Sequence, residues 1–316
     1  MGYDSMKTED FMLESSDERP VSAVLWIPDC APKAILQITH GMTEHIRRYD
    51  TLAETLVSRG IAVAGFNLRG HGVCEGNPVC ASFGQGGWEA SLDDMYRFSA
   101  VLNERFPEIP RFLMGFSLGS FLVREYLNQY DDALAGAVIA GTGHQPGFLL
   151  SIMTAIVKTQ VNKAGFDGTT PLVENLSFGT YNQKFRPNRT PSDWLCSDNE
   201  QLDAYRADPL CRPAISSGLF LALLESMKRT GKSEIYVNVS RDLPVLLLSG
   251  EDDPVGDSGK GVRRVETMMK KAGMTNVSAK LFPGARHDIF HEEASGTAEE
   301  VRNLLGDWIL AETAKK

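Results

Sequence analysis

The sequence has little that a membrane, a nucleic acid or an oxidising compartment would require. No apolar run approaches the ~20 residues needed for a membrane-spanning helix. Basic residues are outnumbered, with 32 Lys and Arg against 41 Asp and Glu and a formal net charge of −9. A nucleic acid or anionic bilayer repels such a chain at long range, and no basic run or aromatic-interleaved stripe offsets the imbalance. The five cysteines (Cys30, Cys74, Cys80, Cys196, Cys211) are odd in number and contain no CxxC pair. That pattern predicts free thiols rather than a disulfide framework or a zinc site. Met1 to Asp10 has no apolar h-region, and Met6 stands where a myristoylation signal has Ser or Thr. These absences predict a cytoplasmic protein that spans no membrane and touches lipid at most transiently. Internal repeats and low-complexity tracts are missing as well.

What is present is a strand–helix alternation. Phe11–Leu13 and Val21–Ile27 are β-prone runs around Ser15-Ser16-Asp17-Glu18, an opening hairpin. Further strands are predicted at Ala34–Thr39, Ile61–Phe66, Phe112–Met114, Leu134–Ala140, Pro244–Ser249 and Val277–Phe282. Helices are predicted at Tyr49–Arg59, Ser91–Phe106, Ser120–Tyr130, Gly261–Ala272 and Thr297–Thr313. The helix at Ser91–Phe106 carries Leu92, Met95, Phe98 and Leu102 as its apolar stripe. Strands alternating with helices imply an α/β fold, a mostly parallel sheet with helices on both faces. The rhythm breaks from about Gly143 to Glu234. Residues 1–142 and 235–316 therefore read as one core, and 143–234 as a cap insertion at one edge of the sheet.

Gly115-Phe116-Ser117-Leu118-Gly119 is a GxSxG pattern between a predicted strand and a predicted helix. This is the context of a nucleophile elbow, which lifts a serine hydroxyl clear of the sheet. A serine hydroxyl is a weak nucleophile at neutral pH and needs a base, itself oriented by an acid. His287 and His291 are the histidines beyond the last acid-bearing strand. His287, in the loop after Val277–Phe282, is the chosen base. Glu251-Asp252-Asp253 follows Pro244–Ser249, and Asp253 is the chosen acid, with Asp252 as the alternative. The order Ser117, Asp253, His287 is the Ser–acid–His order of α/β-hydrolases. Two backbone N–H groups must face the oxyanion. Leu118, after the nucleophile, supplies one, and Met42, in the His40-Gly41-Met42 loop, supplies the other.

His40-Gly41-Met42-Thr43-Glu44-His45 followed by Arg48-Tyr49 resembles the HGxxEH…RY stretch of monoacylglycerol lipase and lysophospholipase-like α/β-hydrolases. Leu68-Arg69-Gly70-His71-Gly72 is similar to their RGHG loop, and GFSLG and GARHD to their nucleophile and histidine motifs. A weaker likeness to bacterial caps lies in Arg189–Leu195 and Asp208–Cys211. The resemblance implies carboxylic ester hydrolysis through an acyl-enzyme, with no cofactor and no metal, on a small ester or lipid substrate. It carries over Met42 and Leu118 as the oxyanion donors. Two positions depart from the pattern: Asn67 stands where the family has Asp, and Cys74 where Ser is common.

Other readings remain open. The same machinery fits a short-chain carboxylesterase, a small-peptide hydrolase or a non-catalytic binding protein. His287-Asp288-Ile289-Phe290-His291 nearly spells the HExxH of a metal enzyme, but a Pro-Gly loop precedes it where that motif needs mid-helix. Asp288 and His291 otherwise read as a helix start with a solvated face. Finally, Phe148–Val157 is unusually apolar for a surface connection. It either packs on the core or lines an acyl pocket in which Leu149 and Ile152 set chain-length preference.

Overall fold

The computed structural model describes residues 6–15, 20–72, 80–130 and 132–315. Most of the expected hairpin turn and the departure at Cys74 lie outside them. In chain order the elements begin β1 (Lys7–Leu13), β2 (Val21–Ile27), β3 (Ala34–Thr39), α1 (Asp50–Val57), β4 (Ile61–Phe66), β5 (Cys80–Ala81), α2 (Gly87–Arg105) and β6 (Arg111–Phe116). They continue with α3 (Leu118–Gln129), β7 (Gly136–Ala140), α4 (Gly147–Ala164), α5 (Pro171–Glu174), α6 (Asn199–Ala207) and β8 (Ala214–Ile215). The last are α7 (Ser217–Thr230), β9 (Val245–Gly250), α8 (Lys260–Lys271), β10 (Val277–Phe282) and α9 (Thr297–Thr313).

Eight strands form one sheet in the order β1-β2-β4-β3-β6-β7-β9-β10, antiparallel at β1–β2–β4 and parallel beyond. The five central strands β4, β3, β6, β7 and β9 are buried at every position, as strands covered on both faces must be. Leu52 and Leu56 of α1 and Leu305 and Ile309 of α9 pack on one face. Leu92 and Phe98 of α2, Leu122 of α3 and Val265 of α8 pack on the other. Edge strand β1 starts at Lys7, four residues before the apolar run suggested, because an edge strand carries charges on its exposed positions. Similarly, α2 begins a turn early, at Gly87, with Trp88 buried.

After β3 the chain crosses to β4 on one side, then returns to β6 on the other. A crevice opens at the carboxyl ends of strands where such a reversal occurs, and sites form there. The segment between β7 and β9 carries α4 to α7. Helix α7 packs on both α4 and core helix α3. Strand β8 pairs in parallel with β5, a link the sequence did not suggest. Arg124 of α3, fully buried, ties down both ends of the segment. It donates to Thr142 Oγ1 (3.1 Å) and the Gly143 carbonyl (3.0 Å) at the start, and to the Thr230 carbonyl (2.6 Å) and Tyr236 hydroxyl (2.7 Å) at the end.

Candidate active site

Strand β6 runs to Phe116 and α3 starts at Leu118, so Ser117 alone makes the turn. Its backbone takes φ 51° and ψ −115°, a strained conformation for a residue with a side chain. The flanking glycines are demanded by closeness. A Cβ at Gly115 would meet the Gly119 carbonyl oxygen at 2.2 Å, and one at Gly119 would meet the Thr39 oxygen at 2.1 Å. The turn leaves Ser117 partly accessible at the N-terminus of α3, where the helix dipole favours negative charge.

Ser117 Oγ lies 2.9 Å from His287 Nε2, and His287 Nδ1 lies 3.0 Å from Asp253 Oδ2. Of the three acids in the run, Asp253 is buried, whereas Glu251 is exposed and Asp252 pairs with Lys184 outside. The Val255 N–H (2.8 Å) and Ser249 hydroxyl (3.2 Å) hold the Asp253 carboxylate in place. Burial disfavours a charged His287 ring, but the adjacent Asp253 carboxylate outweighs it and lifts the pKa above the ordinary histidine value. Phe116 and Trp194 both pack tilted by 35° against the imidazole, at centroid distances of 4.9 and 5.1 Å.

The segment 287–291 is not helical, and its two histidines serve different partners. His291 meets Asp288 Oδ1 (2.9 Å) and the Arg48 carbonyl (3.0 Å). Asp288 and His291 are thus not a solvated face. Asp288 is buried, and Arg48 bridges it (2.8 Å) to buried Glu44 (2.6 Å). Burial alone would raise the Asp288 pKa, but His291 and Arg48 hold it below the usual carboxylate range. Glu44 in turn accepts the Gly41 N–H (2.6 Å) and Tyr49 hydroxyl (3.0 Å), fixing the loop that carries Met42. Beneath that loop, burial lowers the His40 pKa to about 3, so a neutral ring accepts the Leu68 N–H at Nε2 (2.9 Å). Asn67, which departs from the family's Asp, is engaged on both sides: its oxygen accepts from Ile46 N–H (2.9 Å) and its nitrogen donates to Ser22 (2.7 Å).

The sequence profile described as serine aminopeptidase, S33, matches residues 30–294. The chain belongs to the S33 family. Human monoglyceride lipase is 25% identical over 307 residues, 96% of this chain and 90% of its own length. The monoacylglycerol lipase of Mycolicibacterium smegmatis is 24% identical over 274 residues, 85% of this chain and 86% of its own. Among solved structures, a thermostable carboxyl esterase from Bacillus coagulans superposes with a TM-score of 0.90 at 24% identity, covering 98% of this chain and 100% of that one. The α/β-hydrolase fold expected from the motifs is the one observed.

Two cavities of this S33 hydrolase lie near Ser117, one of them lined by it. One, of about 220 Å³, has Met42, Ser117 and Leu118 at its mouth. Its walls come from Leu149, Leu150 and Met153 of α4 and Phe220, Leu224 and Met227 of α7, and no charged residue lines it. Ile152, expected to face such a pocket, points outward with 55% of its surface exposed, because it lies on the opposite side of α4 from Leu150. The other cavity, of about 580 Å³, is lined by Asn182, Asn188, Arg186 and Arg212 among others. A narrow passage bordered by Trp194, Tyr205, Ser117 and His287 links it to the site. The sequence reading missed Trp194 as a site residue; its only signal was the weak cap likeness. Among the described residues, no helix is long and apolar enough to cross a membrane.

Proposed function

We propose that the protein hydrolyses carboxylic esters of monoacylglycerol type through an acyl-enzyme on Ser117. The observation that carries this reading is a hydrogen-bonded Ser117–His287–Asp253 chain opening into a cavity with no charged lining. His287 Nε2 takes the hydroxyl proton as Ser117 Oγ attacks the ester carbonyl, and Asp253 stabilises the imidazolium. The tetrahedral oxyanion is held by the N–H groups of Met42 and Leu118. Collapse expels the alcohol, which His287 protonates. Water activated by the same imidazole then frees the acid.

The acyl chain occupies the cavity between α4 and α7, where burying each CH₂ contributes roughly 0.8 kcal/mol. The polar alcohol faces the passage toward Tyr205 and Arg212. Residues 143–234 thereby act as a cap. Phe148 and Ile152, which α4 leaves on the surface, fit a transient contact with the lipid phase in which such a substrate lies. The free thiols of Cys30, Cys196 and Cys211 fit a reducing cytoplasm.

An aminopeptidase must hold a substrate ammonium with a carboxylate close to the nucleophile. The carboxylates that line a pocket with Ser117, Glu44 and Asp288, are both engaged by Arg48, Glu174 lines only the larger cavity, and the cavity between α4 and α7 is uncharged, which favours the ester over the peptide. Kinetics on a monoacylglycerol series beside aminoacyl anilides test the choice. We expect turnover of the glycerides with kcat/KM rising from acetyl to medium chains. Faster cleavage of the anilides would overturn it.

A further inference from the structure

We infer that His45, Asp208 and Cys211 form a zinc-binding site that joins the loop carrying Met42 to the insertion. The three side chains offer one nitrogen, one oxygen and one sulfur ligand, all within 4.8 Å of one another. His45 Nε2 already lies 2.8 Å from Asp208 Oδ2, and the side chains are 10% and 29% exposed. Cys211 is buried. Imidazole, carboxylate and thiolate are all zinc ligands, and three of them with water in the fourth position make a tetrahedral site. Zn–N and Zn–O bonds of about 2.0 Å and a Zn–S bond of about 2.3 Å set such ligand atoms about 3.3–3.6 Å apart. Side-chain rotations of about an ångström therefore close the site.

Arg48, the cation near Cys211, is answered by two carboxylates, Glu44 and Asp288, which it spans. The ligands are also held in place. Asp208 Oδ1 accepts the Leu210 N–H (2.8 Å), leaving Oδ2 for the metal. The Cys211 N–H bonds the Asp208 carbonyl (3.2 Å), and the Arg212 N–H bonds the Thr43 carbonyl (2.9 Å), so the turn sits against the His45 loop. Binding exchanges the Cys211 S–H bond for Zn–S, with the proton passing to the buffer. Zn–N and Zn–O bonds replace the His45–Asp208 hydrogen bond, and the proton that Nε2 donated to Asp208 gives way to one carried on Nδ1, exchanged through the buffer.

His45 is three residues from Met42, so drawing its ring toward Cys211 shifts the oxyanion loop and slows acyl transfer. This consequence rests on the role proposed for Met42; the metal site itself does not. Cobalt(II) titrated into the full chain is expected to bind one-to-one with a sulfur-to-metal charge-transfer band in the near ultraviolet, displaced by Zn²⁺. Cys211→Ser should abolish the band, Asp208→Asn should weaken binding about tenfold or more, and Cys30→Ser should change nothing. Thermal melts establish that each variant is folded, and the wild-type titration stands without them. Absence of the band in the wild type, or its survival in Cys211→Ser, would overturn the site. Saturating Zn²⁺ is expected to lower kcat on p-nitrophenyl butyrate severalfold in the wild type and not in Cys211→Ser. An unchanged wild-type kcat would overturn the coupling to Met42.

Discussion

In the sheet, β3, β4, β6, β7 and β9 are buried at every position, and what holds them is apolar contact with helices above and below. In the segment between β7 and β9, several fixings to the core are hydrogen bonds gathered on single polar residues. Arg124 grips both ends. Buried Glu292 accepts the backbone N–H of Ser197 (3.0 Å) and of Arg286 (2.9 Å), joining the segment to the His287 loop. Thr43 meets Tyr205 at 2.9 Å. The contrast separates two tasks. On the proposed reading, the sheet presents Ser117, Asp253 and His287 at strand ends, whereas the inserted segment shapes what reaches them. Changes at strand ends should therefore strike turnover, and changes in the insertion should strike stability and selectivity.

The largest effects belong to the strand ends. Ser117→Ala and His287→Ala are each expected to lower kcat about 10⁴-fold or more in a chromogenic ester assay, with the fold intact. His291→Ala, which touches Asp288 and not Ser117, is expected to cost far less. Asp253→Asn is expected to lose roughly 10³–10⁴-fold, since the amide cannot stabilise the imidazolium. Asp252→Asn, which loses a surface pair with Lys184, is expected to stay near wild type.

A pH profile is sensitive to the same chain of groups. An unperturbed histidine would place the acid limb near pH 6.5. Because Asp253 raises the His287 pKa, the imidazolium persists to higher pH, and only the neutral ring serves as base. The midpoint of kcat/KM is therefore expected above pH 6.5, and Asp253→Asn should move it down.

In the insertion the effects are smaller and of another kind. Arg124→Ala leaves several buried acceptors without their donor and is expected to cost about 2–4 kcal/mol in denaturant unfolding. Activity per folded molecule should fall much less. The smallest effect is on selectivity. Each added CH₂ is expected to raise kcat/KM about fourfold until the cavity is filled. Met153→Asn or Leu149→Asn should flatten that rise, while Ile152→Asn, on the exposed side of α4, should leave it unchanged.

The same contrast explains what could be read from the sequence. Strand ends carry their chemistry in short, local patterns, so GFSLG, the acids after β9 and the histidine after β10 could each be placed by what precedes them. Helix stripes such as Leu92, Met95, Phe98 and Leu102 were equally plain. Edges were less so, because the charges of β1 hide a strand whose partners lie on one side only. Least legible were contacts between residues far apart in the chain. The Arg48–Asp288 pair spans 240 positions, and nothing local distinguishes Asp288 from a surface acid. The helices of the insertion were missed for the same reason: α7 is fixed by α3 and α4, and α4 shows no clean apolar stripe because one side faces a cavity and the other solvent.

Peptide mapping after reaction with alkyl fluorophosphonates tests the central claim most directly, that Ser117 reacts at the mouth of an apolar cavity. The account predicts one adduct per chain, on the peptide containing Ser117, formed faster with an octyl than with an ethyl probe and lost in His287→Ala. An adduct on another residue, or none on a folded chain, would contradict it.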